Sequence, residues 1–380
     1  MKIIIIIKQP LENLPPIINL MDILLSLNKD IVLICSKISN ALKIKYSKNV
    51  DLYLIKQSKG GKIIKVINWL TFKFNASKVI ENVMSLNIYN ILWIGSADAA
   101  IAMGNAIFKF KYVFQCQELY DRYPFYQKRL KRIMQNSIIN VVPNENRGAI
   151  FRLWYNLKEP PVILPNKPYY HPKQRNLIIE DKNIANIINN IKNKKLMIYQ
   201  GVINEKERNL SLFAEAVESM NDDWIFVIMG RFAHKDGYIN MLMRKYKNVV
   251  YLPPLPAPMH LQVTSWARIG IVSYTFKDLN HLFCAPNKTW EYTGFGIPML
   301  TNDVPDLKSI ISNYKSGECI NIDNSKPDNI IDLINKIDNN YEEYSIGAKN
   351  YYNSINTLEI VKKIINQIKT KKNITNKDSL

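Results

Sequence analysis

The sequence predicts an α/β fold made of two Rossmann-like, doubly wound domains. Short apolar runs alternate with longer segments in which apolar residues recur at helical spacing. This alternation stops at a proline-rich stretch and then starts again. It is typical of a mainly parallel sheet that is covered by helices on both faces. A length of 380 residues also suits two domains, since one domain commonly takes about 100–200 residues.

The first strand is predicted at 3–7, a run of isoleucines that is closed by Lys8 and Pro10. This run is too short for a signal peptide or a membrane-spanning helix, so a buried strand is the better interpretation. Other short apolar runs predict strands at 30–35, 50–55, 91–94, 112–115 and 138–142. Helical periodicity predicts helices at 17–27, 64–84, 99–108 and 124–135.

The second half repeats this alternation. Short apolar runs predict strands at 195–199, 224–229, 249–252, 269–273 and 298–300. Helical periodicity predicts helices at 208–220, 238–246, 259–265, from 288 onward, and at 307–314, 330–341 and 358–369.

Between the halves, five prolines fall within thirteen residues, from Pro160 to Pro172. Proline fixes φ and removes a backbone donor, which favours a semi-rigid linker. We therefore predict four segments: an N-terminal acceptor-side domain over 1–167, a linker and domain entry over 168–193, a C-terminal domain over 194–355, and a last helix and tail over 356–380 that could pack back on the N-terminal domain.

Composition narrows the class of protein. The four cysteines have no CxxC spacing, which argues against a zinc site or a disulfide framework and suits a reducing compartment. The formal net charge of +19 could reflect a composition rich in Lys, Ile and Asn, or attraction to an anionic surface. A nucleic-acid partner is not expected, because the sequence lacks zinc-finger spacing, an RNA-binding aromatic signature and a basic zipper.

Ligands of open α/β sheets bind beyond the carboxyl ends of the strands, so we expect the site in a cleft between the two domains. One candidate segment is 199–210, where a predicted strand runs through Gly201 toward a helix that begins near Arg208. Gly201 permits close backbone approach, and an arginine at a helix start can bind phosphate together with the helix amides. The alternative is that Lys206 and Arg208 are solvated loop charges.

The second candidate segment is 284–300. Asn287 is predicted to cap a helix that Lys288 opens, and Glu291 lies one turn further on the same face. A cation there can meet a diphosphate, and a carboxylate can accept hydrogen bonds from a ribose diol. Glycines at 294 and 296 are predicted to end this helix. The alternative is an exposed ion pair between Lys288 and Glu291, which would contribute little to stability.

These segments resemble the donor domain of family-four glycosyltransferases, the retaining GT-B-fold enzymes of bacterial surface-glycan assembly. The resemblance covers about residues 195–300. It is carried in order by 199–201, 226–230, 252–254, 270–274 and 286–298. The first half matches more loosely, at 117–120, 142–145 and 164–166. The resemblance implies the GT-B architecture of two facing Rossmann-like domains, with the nucleotide-sugar donor held by the C-terminal one.

The resemblance also implies a role for each matching position. Glu291 would hold the donor ribose, while Arg208 and Lys288 would meet the donor diphosphate and ease its departure. These three residues are the expected catalytic group. The other expected donor-binding residues lie near the nucleotide, the base or the sugar: Gly201, Gly230, Arg231, Leu252, Tyr274, Asn280 and Asn287. On the acceptor side the expected residues are Gln117 and Glu118.

Three positions depart from the family's pattern. Phe283 stands where the family often has a second glutamate, so the contact with the sugar would fall to backbone groups or to Asn280. Gln117 stands where a histidine is frequent, and residues 9–13 replace a glycine-rich loop. These departures leave two alternatives open: a non-catalytic GT-B subunit that binds a glycan or a partner, and a sugar-nucleotide epimerase.

The expected reaction transfers a sugar from a nucleoside-diphosphate sugar to a hydroxyl of a glycan or lipid-linked acceptor, with retention of configuration. This scheme needs no cofactor and no catalytic metal. The histidines at 171, 234, 260 and 281 show no HExxH spacing and are expected to be structural or surface residues. A nucleophilic hydrolase is not expected, because no GxSxG motif occurs.

A basic segment at 126–134 places Lys128, Arg129, Lys131 and Arg132 among apolar residues at near-helical spacing. Such a helix could contact the anionic inner membrane face, where lipid-linked acceptors reside. The alternative is a solvated face of a lysine-rich protein. We therefore expect a cytoplasmic protein, with peripheral membrane contact as an open alternative.

Overall fold

A computed structural model of the chain describes residues 1–220, 222–233 and 237–377. The chain divides into two compact units. The first unit combines Met1–Tyr169 with Asn356–Leu380, and the second unit is Tyr170–Ile355. Each unit has its own parallel sheet, so the predicted α/β class with two Rossmann-like domains is confirmed.

The strands of the first unit are β1 (Lys2–Ile6), β2 (Asp30–Cys35), β3 (Val50–Leu54), β4 (Ile91–Ile94), β5 (Tyr112–Gln115), β6 (Ile139–Val142) and β7 (Val162–Ile163). Within the described residues they form one parallel sheet in the order β3-β2-β1-β4-β5-β6-β7. Strand β1 is central, and its isoleucines are fully buried. Strand β7 was not predicted. It pairs with β6 at the sheet edge, where the missing donors of nearby prolines are tolerated.

The helices that follow these strands are α1 (Pro15–Ser26), α2 (Asn40–Tyr46), α3 (Lys62–Leu86), α4 (Ala97–Met103), α5 (Pro124–Asn136) and α6 (Glu145–Tyr155). Short 3-10 turns lie at Leu11–Asn13 and Gly104–Lys109. Helix α3 contacts α4, and α4 contacts α5, so these three helices form one layer of the unit.

The strands of the second unit are β8 (Lys195–Ile203), β9 (Trp224–Phe232), β10 (Val249–Leu252), β11 (Ile269–Val272), β12 (Met299–Asn302) and β13 (Gly317–Ile320). Within the described part of the chain their parallel order is β10-β9-β8-β11-β12-β13. Strands β8 and β9 extend beyond the predicted ends, since pairing continues through Gly201 and Gly230. The φ values of Gly201 and Gly230 are +134° and +158°. A Cβ on Gly230 would overlap the Gly201 carbonyl oxygen, so this close approach of the two strands requires glycine.

The remaining helices are α7 (Lys182–Ile191), α8 (Glu205–Arg208), α9 (Leu210–Glu218), α10 (Gly237–Lys245), α11 (His260–Thr264), α12 (Leu279–Leu282), α13 (Asn287–Gly294), α14 (Pro305–Tyr314), α15 (Pro327–Asn339), α16 (Tyr341–Asn353) and α17 (Thr357–Lys377). A third 3-10 turn spans Ile322–Asn324. Helix α17 belongs to the first unit, where Val361, Ile364 and Ile368 join the same apolar core as α1.

One predicted helix is corrected by the structure. The segment 208–220 is not continuous, because Asn209 adopts the left-handed backbone conformation with a φ of 44°. Arg208 therefore ends the short helix α8, and α9 begins at Leu210.

Among the residues that the structure describes, no helix combines the length and the apolar composition needed to cross a membrane.

Candidate functional site

The carboxyl ends of β8, β9, β10 and β11 lie side by side at one edge of the second sheet. The paired glycines of β8 and β9 lie at this edge, together with Leu252 at the end of β10 and Tyr274 just after β11. Helix α13 carries Lys288 and Glu291 and contacts both α11 and β11. Most of the predicted donor residues therefore share the edge where parallel sheets bind ligands.

Lys288 is a buried cation at the start of α13. Its side chain is only 7% exposed. Its Nζ atom lies 4.1 Å from the centroid of the Tyr199 ring and 5.5 Å from that of Tyr274. It would also lie 3.5 Å from a Cβ placed on Gly201, so the glycine leaves room for the ammonium group. Burial, together with the nearby charge of Arg208, lowers the pKa of Lys288 to about 7.

Arg208 brings a second cation to the same place. Its guanidinium carbon lies 4.3 Å from the centroid of the Tyr274 ring, and Nη1 donates to the Glu207 carbonyl oxygen at 2.9 Å. The Nε atom is buried and has no hydrogen-bond partner among the described residues. The backbone carbonyl of Arg208 accepts from the Ser273 hydroxyl. Arg208 is thus half-buried rather than a solvated loop charge, whereas Lys206 is exposed.

Arg208 and Lys288 lie close together, which favours the binding of an anion. The Tyr274 ring touches both Arg208 and Lys288, and the mutual repulsion of the two charges contributes to the lowered pKa of Lys288. A buried charge is costly unless it is compensated. An anionic ligand with several oxygen acceptors would supply that compensation.

Glu291 is a fixed carboxylate one turn further along α13, with its side chain 16% exposed. Its Oε2 accepts from Gln200 Nε2, and its Oε1 lies 3.2 Å from His260 Nε2. Thr264 holds the Gln200 amide in turn, by donating to its oxygen at 2.5 Å. Burial raises the pKa of Glu291, but His260, Gln200 and Lys288 together keep it below its ordinary value, so the group is ionised.

This arrangement corrects the alternative of an exposed Lys288–Glu291 ion pair. Both side chains are largely buried. The carboxylate is bound by Gln200 and His260, while the ammonium lies over Tyr199. Each charge therefore has its own surroundings within the second unit.

His171 fixes the backbone of α13 next to Glu291. Its Nδ1 accepts from the Lys173 N–H at 3.0 Å, so Nε2 carries the ring proton and donates to the Glu291 carbonyl oxygen at 3.0 Å. Burial lowers the pKa of His171 to about 4, which keeps the ring neutral. A Cβ on Gly294 would lie 2.6 Å from this ring, so the glycine makes the contact possible.

Sequence reasoning missed several residues of this network. Gln200, His260 and Thr264 surround the Glu291 carboxylate, and His171 binds its backbone. Gln200 stands inside the motif around Gly201, but motif spacing does not show which way its amide points. The expectation that the histidines are ordinary structural residues missed the contacts of His171 and His260 with Glu291. His281 Nδ1 lies 2.6 Å from Asp278 Oδ1, and His234 lies outside the described residues.

The other predicted donor residues have varied surroundings. The Gly230 carbonyl accepts from the Tyr251 hydroxyl at 3.1 Å, and Arg231 beyond it is exposed. Leu252 is fully buried, so only its backbone could face a ligand. Asn280 lies in the short helix α12 and is partly exposed.

The start of α13 differs from the prediction by one residue. Pro286 is the N-cap and Asn287 is the first helical residue, so Asn287 does not cap the helix. The Thr289 hydroxyl instead donates to the Pro286 carbonyl at 2.8 Å. Phe283 ends α12 and is partly buried, so no carboxylate occupies that position.

In the first unit, Gln117 and Glu118 follow β5 at the carboxyl edge of the sheet. Both polar atoms of the Gln117 amide are buried and have no hydrogen-bond partner among the described residues. The Gln117 carbonyl accepts from Arg147 Nη1, which also lies 3.4 Å from Glu118 Oε2. Arg147 is only 4% exposed, so this backbone turn is firmly held while the Gln117 amide stays unsatisfied.

A second polar group lies at the carboxyl edge of the first sheet and was not predicted. Asp98, which follows β4, accepts hydrogen bonds from Gln9 Nε2 and from the Tyr126 hydroxyl. The Tyr126 ring is stacked on Tyr120, with 4.7 Å between the centroids. Gln9 belongs to the segment that replaces the family's glycine-rich loop, so this departure places a polar side chain at the edge.

Helix α5 keeps its cations on the outside. Lys128, Arg129, Lys131 and Arg132 are exposed, while Leu130, Ile133 and Met134 are buried. These three apolar residues belong to the core of the first unit, and the cationic face is available to a partner. Within the described ranges, no group of three or more His, Cys, Asp or Glu side chains could hold a metal ion.

Comparisons with known proteins agree at the level of the fold. A scan against models of protein families found no match, and a search of curated proteins found none either. The solved structure of Anabaena HepE in complex with UDP-glucose matches with a TM-score of 0.69 at 10% identity, over 97% of this chain and 100% of HepE.

Two further solved structures are similar. WaaG, a glycosyltransferase involved in lipopolysaccharide biosynthesis, matches with a TM-score of 0.64 at 12% identity, over 96% of this chain and 99% of WaaG. A UDP-N-acetylglucosamine 2-epimerase assigned in Listeria monocytogenes matches with a TM-score of 0.61 at 15% identity, over 92% and 90% of the two chains. These likenesses show that the chain has the GT-B fold, as the sequence resemblance implied.

Proposed function

We propose that this protein is a glycosyltransferase that uses a nucleoside-diphosphate sugar as its donor. The proposal rests on two cations at the carboxyl edge of the second sheet, the half-buried Arg208 and the buried Lys288. The ionised Glu291 lies one helical turn from Lys288. This combination offers positive charge for a diphosphate and a carboxylate for a ribose diol. The fold shared with HepE and WaaG supports the same interpretation.

The two cations would act when the bond between the sugar and the diphosphate breaks. Negative charge then develops on the leaving diphosphate, and preorganised positive groups in a water-poor site stabilise it strongly. Lys288 suits this role because its buried ammonium lies over the Tyr199 ring, where Gly201 leaves room for it. An approaching diphosphate would also raise the lowered pKa of Lys288 and so favour its charged form.

Glu291 would bind the ribose hydroxyls. A carboxylate offers roughly four lone-pair positions, and Gln200 and His260 occupy part of them. The remaining positions can accept hydrogen bonds from a diol. His171 would keep α13 in place by holding the Glu291 carbonyl.

The rest of the reaction follows from the family resemblance. We propose that the acceptor is a hydroxyl of a glycan or of a lipid-linked glycan in surface-glycan synthesis, and that configuration is retained. Gln117 and Glu118 would contact this acceptor, and Asn280 or backbone groups would replace the contact that Phe283 cannot make. No cofactor or metal takes part in this proposal, so a chelator should leave turnover unchanged.

We further propose that the protein works on the cytoplasmic face of the membrane. The exposed Lys128, Arg129, Lys131 and Arg132 support peripheral contact with anionic lipids, because basic side chains near such a surface are attracted to it.

A second candidate function is sugar-nucleotide epimerisation, which the likeness to the Listeria epimerase favours. It predicts an isomerised donor sugar when no acceptor is present. A glycosyltransferase instead predicts release of nucleoside diphosphate that depends on the acceptor.

The first test is a thermal-shift panel of UDP, GDP, ADP and their sugars. A ligand that binds the folded state raises the melting temperature. We expect a shift with one nucleotide family that is lost in Glu291→Ala. The matched control is Glu343→Ala, an exposed carboxylate paired with Lys315 in the same unit, which should keep the shift. No shift with any nucleotide would overturn the proposal in favour of a non-catalytic subunit.

A further inference from the structure

Helix α3 of the first unit is apolar on two opposite sides. One side is buried in the unit through Phe72, Ala76, Ile80 and Val83. The other side is exposed, and its large apolar residues form what we name the α3 stripe: Ile63, Val66, Ile67, Leu70 and Phe74. Exposure in the stripe runs from 54% for Ile67 to 78% for Ile63. The stripe is therefore not part of the core.

The spacing places the stripe on a single face. Its members recur at i, i+3, i+4, i+7 and i+11 from Ile63, which is the repeat of one side of an α-helix. A surface helix normally presents polar residues opposite its buried side. Contiguous exposed apolar residues of this size mark an interaction surface.

The charge around the stripe favours an anionic partner. Residues 52–80 contain six lysines and no aspartate or glutamate. Lys65 and Lys73 are exposed on α3 itself, and Lys56 and Lys59 are exposed in the loop before it. Two copies of this chain would bring like charges together if they met through the stripe. Large apolar side chains flanked by lysines are the composition that lies in the head-group region of anionic lipid.

Helix α3, which carries the stripe, and helix α5, which carries the cationic face, belong to the same helical layer. Helices α3, α4 and α5 form one layer, and Lys109 between α4 and α5 lies 3.5 Å from Glu81 of α3. Arg132 of α5 donates to Asn105 in the same connecting segment at 3.2 Å. Helices α3 and α5 are therefore linked through this segment, and each carries exposed cations of its own.

The two helices also begin at the same edge of the sheet. Each starts after the carboxyl end of a strand, α3 after β3 and α5 after β5. Two large aromatic residues lie exposed where α5 begins, Tyr123 at 60% and Phe125 at 52%. The first turns of both helices therefore place apolar groups next to the carboxyl edge of the sheet, where ligands of parallel sheets bind.

We infer that the α3 stripe inserts into the head-group region of an anionic lipid bilayer, with the cations of α5 attracted to the same surface. The carboxyl edge of the first sheet would then lie at the membrane. On the basis of the proposed function, the acceptor class is a lipid-linked hydroxyl held in that bilayer rather than a free glycan.

The test is co-sedimentation of the full chain with vesicles. Vesicles of phosphatidylcholine alone are compared with vesicles that contain phosphatidylglycerol, at low and at high salt. We expect binding to the anionic vesicles, part of which survives high salt because apolar insertion is not screened. The stripe variant Ile67→Ser/Phe74→Ser should weaken this binding by about tenfold or more. The matched control is Leu153→Ser/Ile178→Ser, which removes two apolar residues elsewhere that are even more exposed than Ile67 and Phe74.

Other outcomes would overturn the inference. Unchanged vesicle binding in the stripe variant, with loss only in a Lys128, Arg129, Lys131 and Arg132 to Gln variant, would assign binding to charge on α5 alone. A concentration-dependent dimer broken by the stripe variant, without vesicle binding, would make the stripe an interface between two copies. If the Ile67→Ser/Phe74→Ser variant does not fold, a second stripe variant, Ile63→Ser/Leu70→Ser, replaces it in the test. Donor binding is measured separately by thermal shift. Failure of the proposed function can therefore be distinguished from failure of the membrane inference.

Discussion

Glu291 at the carboxyl edge of the second sheet and Gln117 at that of the first sheet differ in how their polar atoms are satisfied. In the second unit, Glu291 has three contacts that fix it: Gln200 and His260 at the carboxylate, and His171 at the backbone. In the first unit, the Gln117 amide and the Glu12 carboxylate are buried without hydrogen-bond partners among the described residues.

This difference is informative because buried polar groups are normally satisfied. A group that is already fixed is preorganised, so binding a ligand costs little reordering. A group left unsatisfied gains most when a ligand supplies its partner. The fixed Glu291 therefore suits a constant part of a ligand, such as the nucleoside of the proposed donor. The unsatisfied Gln117 amide suits a ligand that supplies its missing partners, such as the proposed acceptor.

The largest effect should come from removing the buried cation of the second unit. We expect Lys288→Met to lower kcat by about 10²–10³-fold, because a charge aimed at the developing diphosphate is lost in a water-poor site. Steady-state kinetics with the preferred donor would measure this. Lys206→Met is the matched control, since Lys206 is exposed near the same edge and should behave like wild type. Equal losses in both variants would remove the special role of the buried cation.

The next effect should come from Glu291, the carboxylate proposed to bind the ribose. We expect Glu291→Ala to weaken binding of the preferred nucleoside diphosphate by about 2 kcal/mol, or roughly thirtyfold, since charged hydrogen bonds to the ribose are lost. Calorimetric titration would measure the Kd. The 2′-deoxy nucleotide should bind wild type more weakly but lose little further in the variant. Independent losses from the two changes would show that Glu291 does not contact the ribose.

A roughly tenfold effect should follow from pH. The pKa of Lys288 is lowered to about 7 in the free protein, so its ammonium is charged below that pH and neutral above it. Donor binding that needs the charged form should weaken by roughly tenfold between pH 6 and 8, in proportion to the protonated fraction. Calorimetry across this range should also show proton uptake on binding. Lys288→Arg should flatten the profile, and an unchanged slope in that variant would assign the titration elsewhere.

The same group has a consequence for stability. The folded-state pKa of Lys288 is below the ordinary value of 10.5, so the unfolded chain binds more protons between pH 7 and 10.5. Its contribution to the free energy of unfolding therefore rises with pH across that window and is lost as pH falls through about 7.

The smallest effect should be confined to the first unit. We expect Gln117→Ala to raise the acceptor KM severalfold, because about 1 kcal/mol of hydrogen bonding to the acceptor is lost. The donor Kd should stay unchanged, which separates this residue from Glu291. Acceptor-dependent kinetics and donor titration on the same variant would check both points. A parallel change in donor affinity would abolish the distinction between the two edges.

The main strands could be predicted because buried parallel strands are continuous apolar runs. The runs at 30–35, 91–94 and 112–115 coincide with β2, β4 and β5. Strands β7 and β13 escaped prediction because one has two residues among prolines and the other is the mixed segment Gly317–Ile320. The break at Asn209 was missed because a left-handed residue within a helical pattern has no periodic signal.

The sequence by itself determined the α/β class, the two Rossmann-like units and the placement of Lys288 and Glu291 on one helix. These follow from local patterns: apolar runs, helical spacing and glycine or proline punctuation. Tertiary structure alone decided what those charges meet. Gln200 and His260 reach Glu291 from positions 91 and 31 residues earlier in the chain, and the α3 stripe is recognisable only once its opposite side is buried. Such contacts depend on which elements pack together, because burial and electrostatic partners are properties of the assembled core.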